Sequence, residues 1–290
     1  MKSSKGQKLC RILAIVLSLV LITIFSLVII AILDENTAHI YPGYPRADLV
    51  PILSKEYLGE TDYETIYFQT GLGKPAVDEL RARYPDSAER ILRIQESFFG
   101  KVSFICEPNS PVSREETLVN EKGEPVNGIE LASVQNGDIL VTKSSHTYGW
   151  RNGHAAIVID AANGLTLESV VLGTNSTIQH ISKWTSYPNF MLLRLKDASP
   201  ELRENIARTA SEYLVDIPYD LFVGIFNPKY KQKDKITSTH CSHLVWQAYR
   251  MHGFDLDSDG GPLVTPNDIA NSPLLEVVQV YGVDPENIWP

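Results

Sequence analysis

Cysteine is scarce in this chain: three in 290 residues, at positions 10, 106 and 241. So few thiols exclude a disulfide-stapled scaffold, in which bridges substitute for a core. Cys10 precedes a long apolar run rather than following one, so it is not placed as a lipoprotein cysteine. Internal repeats and low-complexity tracts are also missing. Positive charge is in deficit, with 26 Lys and Arg against 35 Asp and Glu, a net of −9. An acidic chain of this kind is not built to hold nucleic acid or another polyanion as its main ligand.

What is present begins with the apolar run, Ile12 to Leu33, 22 residues without a charge. It is long enough to span a bilayer. Lys2, Lys5, Lys8 and Arg11 precede it, and Asp34 and Glu35 follow. By the positive-inside rule this is a single-pass anchor in the cell membrane, with the amino terminus in the cytosol and the rest outside. A cleaved signal peptide is the alternative. Its apolar core is normally shorter, and no Ala-x-Ala site follows here. The part beyond Leu33 holds all 35 acidic residues and 22 basic ones, a net of −13. Outside the cytosol Cys106 and Cys241 can pair, which is a competing use of Cys241.

Residues 34–127 read as a linker and a helical accessory segment, and 128–290 as the main domain. Pro- and Tyr-rich residues 34–55 suggest a loosely packed arm. Helical spacing starts near Asp62. Lys74 to Arg83 forms one short helix ended by Pro85, and Asp86 or Ser87 caps a second that carries Ile91, Leu92, Ile94 and Phe98. Gln69 and Gln95 read as structural. Polar Glu107 to Gly128 reads as a boundary loop. Strands follow at Asn136–Thr142, Gly153–Asp160, Leu165–Val171 and Phe190–Leu195. Ser199-Pro200 opens a helix to about Leu214. This order predicts an α+β fold, a compact antiparallel sheet with helices on one side. Asn175-Ser-Thr177 matches a glycosylation sequon, relevant only in a eukaryotic secreted chain.

Cys241 opens a helix whose apolar stripe is Leu244, Val245, Ala248 and Tyr249, with Ser238 or Thr239 as cap. At that place the helix N-terminus favours a thiolate, and its N–H groups suit an oxyanion. The alternative is a small buried thiol on a core helix. His154 stands at the mouth of a strand after Gly153. Glu168 interrupts the apolar run Leu165–Leu172 and needs a partner there, because an unpaired buried carboxylate is costly. A structural salt bridge to Lys or Arg satisfies it. So does His154, which it would orient toward a nucleophile. Both numbers are even, so the two share a face if their hairpin loop is odd in length or carries a bulge, and the expected loop is a long one through Asp160–Gly164.

Taken together, Gly137-Asp-Ile-Leu, Gly153-His-Ala-Ala-Ile-Val, Leu167-Glu-Ser and the run from His240 to Tyr249 resemble the NlpC-type peptidase superfamily. More narrowly they resemble its circularly permuted, YiiX-like branch of papain-like amidases, in which the His and its orienter precede the Cys. Pro218-Tyr-Asp220 and Val264-Thr-Pro-Asn-Asp-Ile269 are similar too. The likeness covers about residues 128–275. It implies a permuted papain-like fold with Cys241 as nucleophile, His154 as base and then acid, and Glu168 as orienter in place of the His found in many relatives, a role His180 could otherwise fill. It also implies hydrolysis or transfer at an amide bond, in cell-wall peptides of peptidoglycan among others, with no cofactor and no metal. A lipid-directed acyltransferase and a non-catalytic binding module are the alternatives.

Two further patterns carry less. His240, Cys241 and His243 hint at zinc, but no second ligand cluster has the right spacing. Asp255-x-Asp-x-Asp-Gly260 begins like a calcium loop, yet its twelfth position is Pro266 where a bidentate Glu belongs.

Overall fold

The computed structural model describes residues 3–35 and 38–289. The first element, α1 (Ser3–Glu35), contains the 23-residue window Gln7–Ile29, long and apolar enough to cross a membrane, and none of that window is buried.

Beyond it the fold is α+β, with two antiparallel sheets. Four helices come first: α2 (Val50–Leu53), α3 (Glu60–Thr70), α4 (Lys74–Arg83) and α5 (Ser87–Phe98). Pro75 fits the first turn of α4, where its missing N–H costs nothing. Tyr84, the residue before Pro85, turns extended and ends that helix. Strands β1 (Ser103–Pro108), β2 (Ser113–Val119) and β4 (Ser145–Thr147) make a small sheet in the order β1-β2-β4. The main sheet runs β7-β6-β5-β3-β8-β9. Its strands are β3 (Ile139–Thr142), β5 (His154–Asp160), β6 (Leu165–Glu168), β7 (Thr177–His180), β8 (Phe190–Leu195) and β9 (Leu275–Tyr281). The remaining α-helices among the described residues are α6 (Pro200–Tyr213), α7 (Cys241–Arg250) and α8 (Pro266–Ala270).

The central strands are apolar on both faces, which is why they read as unbroken hydrophobic runs. Odd-numbered Ile139, Val141, Ile157, Met191 and Leu193 pack with α6 and α7. Even-numbered Leu140, Ala156, Val158 and Leu192 pack with α3, α4 and α5 through Ile66, Leu80 and Ile94. Each of the Val, Leu, Ile and Met side chains contributes roughly 1.5–3 kcal/mol when buried. Helices therefore cover both faces, not one side as the order of elements suggested. The reason is long-range: α3–α5 sit on the even face of strands that come much later in the chain. Across that layer Arg194 bonds Asp138 at 2.7 Å and 2.8 Å, pairs with Glu79 of α4 and donates to the Ser133 carbonyl. Burial by itself would lower the Arg194 pKa, and the two carboxylates reverse that and raise it.

Three local expectations change. Glu107–Gly128 is not a plain boundary loop, since β1 and β2 pair over Ser103–Val119. The arm over residues 38–49 is exposed along much of its length but fastened at its ends: Ala38 and Leu49 are buried, and Asn189 donates to the Ala38 carbonyl at 2.6 Å. The strand read as Leu165–Val171 stops at Glu168.

Candidate active site

Helix α7 packs across β5, and this brings its first residue, Cys241, to the first residue of that strand, His154. The cap of α7 is His240, not Ser238 or Thr239; its Nδ1 accepts from the His243 N–H at 3.4 Å. Capping one residue later places Cys241 as the first helical residue, where the backbone N–H groups have no intrahelical partner. Gly153 is required just before His154. Its φ is +74°, and a Cβ there would lie 2.5 Å from the Thr142 carbonyl oxygen and 2.3 Å from the Trp289 ring.

His154 and Glu168 share the even face of the sheet. The loop joining their strands has four residues, 161–164, which alone would put them on opposite faces. The bulge between Val158 and Asp160 restores the parity and leaves Glu168 opposite Ala156. His154 Nε2 lies 2.7 Å from Glu168 Oε2. The other carboxylate oxygen accepts from Thr166 Oγ1 at 2.7 Å and from Trp184 Nε1 at 2.9 Å. The Trp184 ring also stacks on the imidazole, with centroids 5.6 Å apart and planes 15° from parallel. That leaves Nδ1 for the neighbouring Cys241, which lines the same cavity and perturbs the imidazole.

The electrostatics follow from this chain of contacts. Burial by itself would lower the pKa of His154, but its interactions with Cys241 and Glu168 outweigh it and push it up to about 10. Burial would likewise raise Glu168, yet the His154 bond and charge, with Thr166 and Trp184, hold its carboxyl down to about 2. For Cys241 burial again opposes ionisation, and His154 and then His240 overcome it and draw the thiol well below its ordinary range. All three shifts favour a thiolate, an imidazolium and a carboxylate in line. Cys241 forms no disulfide.

The thiol opens on a cavity of about 340 Å³. One wall is apolar, with Val170, Leu221, Leu263 and Val264. Further lining comes from β2 and β4, held by buried Glu116, which accepts from Arg151 at 2.7 Å and 2.8 Å and bonds His146 at 3.0 Å. Tyr219 lines the cavity next to Cys241, because backbone bonds tie Thr239 to Pro218 and Asp220.

All three residues expected from the sequence, Cys241, His154 and Glu168, come together. His180 does not: it is exposed and bonds Ser182 at the start of a 3-10 turn. The zinc pattern is taken apart, since the two ring nitrogens of His243 bond Thr239 at 2.9 Å and the Lys229 carbonyl at 2.7 Å. Asp257, Asp259 and Asp268 do cluster, but Asp257 already pairs with Lys229. Trp184, Thr166, His240 and Tyr219 escaped the sequence reading of the site. His240 and Tyr219 stood within runs already named, without a role at this site, whereas nothing in the spacing of Trp184 marked it. Neither a family model, nor a curated protein, nor a solved structure matches this chain.

Proposed function

We propose that the chain is a membrane-anchored cysteine hydrolase that cleaves an amide bond on the outer side of the membrane. One observation carries the reading: a thiol and an imidazole bonded to a buried carboxylate meet at the wall of an open cavity. A structural ion pair needs the His and the Glu, but it needs no thiol at a helix N-terminus beside a groove.

The chemistry is acyl transfer. The Cys241 thiolate attacks the amide carbonyl carbon, and N–H groups of the first turn of α7 hold the oxyanion. His154, protonated at Nδ1, gives that proton to the departing amine as the C–N bond breaks, which leaves a thioester on Cys241. The now neutral imidazole takes a proton from water, the hydroxide attacks the thioester, and the acid leaves as the thiolate re-forms. Glu168 keeps the Nε2 proton on its own side, so that Nδ1 faces the sulfur. No step needs a metal or cofactor.

In this reading 128–290 is a circularly permuted papain-like domain of the YiiX-like kind. The element order supports it, with His and orienter on successive strands before the Cys helix. Residues 34–127 are its accessory segment and 1–33 its anchor. Peptides of the cell wall are the leading substrates. The apolar cavity wall favours a second class, N-acyl lipids, whose chain would lie along Val170, Leu221 and Leu263. Purified full chain and its Cys241→Ala variant are to be assayed on both. The expected result is turnover by the first and none by the second, with circular dichroism unchanged. Equal turnover by the two removes Cys241 from the mechanism, and turnover of neither class by the native chain favours a binding module.

A further inference from the structure

Next to the groove, residues 220–230 form a turn that holds apolar side chains outward. Phe222, Ile225, Phe226 and Tyr230 are 47%, 47%, 78% and 48% exposed. Phe222 and Phe226 form an exposed pair with ring centroids 5.5 Å apart. The turn is nevertheless firmly built. Val223, between the exposed residues, is fully buried. Asp220 accepts from the Phe222 N–H at 3.0 Å and from the Asn227 amide at 2.9 Å. Gly224, with φ +102°, lies so close to the neighbouring loop that a Cβ would sit 1.7 Å from the Pro262 oxygen. Such a scaffold holds the aromatics out, and contiguous apolar surface of this kind marks a contact.

The charge beside them says what the contact is with. Lys229, Lys231, Lys233 and Lys235 follow Phe226 within nine residues. Lys229 is taken by Asp257, whereas Lys233 and Lys235 are exposed and Lys231 is half-buried. Arg250 stacks over Tyr230 at 5.5 Å and Lys233 over Tyr213 at 4.7 Å, both rings being partly exposed. Of the carboxylates in this segment, Asp220 is used within the turn and Asp234 stands among the lysines. Residues 220–235 thus carry four lysines against two aspartates, in a part of the chain whose net charge is −13. Aromatic side chains flanked by lysines suit the headgroup region of an anionic bilayer. The chain also has its own helix long enough to cross one.

We infer that the 220–235 loop seats on the surface of a bilayer containing anionic phospholipid. Phe222, Ile225, Phe226 and Tyr230 enter the headgroup level, and Lys231, Lys233 and Lys235 face the phosphates. Tyr219 and Leu221, immediately before the turn, line the cavity with Cys241, so docking sets the groove mouth at the lipid surface. The contact is independent of the chemistry proposed for Cys241 and survives its failure.

The test uses the full chain in phosphatidylcholine vesicles with or without phosphatidylglycerol, with acyl chains brominated or not. Phe226→Trp adds one indole to the four native ones, and the difference spectrum reports it. In anionic vesicles the added emission should shift to the blue and be quenched at least twofold by bromine. Each lysine at such a surface strengthens binding roughly fivefold. A Lys231→Glu, Lys233→Glu, Lys235→Glu variant, or high salt, should therefore abolish the quenching. Unchanged alkylation of Cys241 in these variants shows that the fold is intact, and adding Cys241→Ala should leave the quenching in place. Added emission that bromine never quenches overturns the inference, as does emission that shifts only with protein concentration, the mark of a second copy. Equal quenching in neutral and anionic vesicles overturns the role of the lysines.

Discussion

Replacing Glu168 by Gln tests the electrostatic chain at the site and needs no substrate. Glu168 accepts three hydrogen bonds, two on Oε1 from Trp184 and Thr166 and one on Oε2 from His154. An amide has one acceptor oxygen and one donor NH2. If the oxygen stays with Trp184 and Thr166, the NH2 faces Nε2 and forces the proton of the ring to Nδ1. If the amide flips, its NH2 meets the Trp184 N–H, donor against donor. Either way the imidazolium loses its counter-charge, and the Cys241 thiolate loses the partner that keeps it ionised. In the Ser-His-Asp triad the wrong histidine tautomer costs ~10⁴ in kcat. The assay is the rate of alkylation of Cys241 by iodoacetamide, resolved by peptide mapping, as a function of pH. An ordinary thiol reacts ~25-fold faster at pH 9 than at pH 7, because its pKa is about 8.5. Native Cys241 should change less than threefold over that span, and Glu168→Gln should restore most of the rise. A native profile that climbs like an ordinary thiol, or two identical flat profiles, would refute the reasoning.

The remaining predictions use stability as well as reactivity. The stability profile of the native chain should be flat between pH 6.5 and about 8.5. His154, raised to about 10, gives stability that is fully present below 6.5 and lost as pH rises. Cys241, depressed, gives stability present above about 8.5 and lost as pH falls, so the two slopes cancel between those values. Glu168, held at about 2, adds a further loss as pH drops below 4.5, and urea unfolding across pH 3–10 checks all three signs. Trp184→Phe keeps the stack on His154 but removes the N–H donor to Glu168, and should cost about 1–3 kcal/mol in the same measurement. Arg194→Leu leaves buried Asp138 without its cation and should cost about 3–5 kcal/mol, while Asp138→Asn with Arg194→Leu should recover part of the loss.

Sequence alone determined the local features. The uncharged run after four basic residues marks a membrane-length helix, because length and charge are properties of a continuous segment. Helix α4 falls where its breaker puts it and strand β8 where an apolar run puts it, and Glu168 within an apolar strand announced a partner. Only the tertiary structure decided which partner. Lys, Arg and His were equally open on paper, and the bulge at Val158–Asp160, a single extra residue, selected His154 by restoring its face. The same holds for Trp184, whose indole reaches Glu168 through a 3-10 turn that no periodicity marks, and for α3–α5, which cover a sheet face made later in the chain. Patterns along the chain report what each segment prefers, whereas pairing across it depends on register and close packing, which no single segment contains.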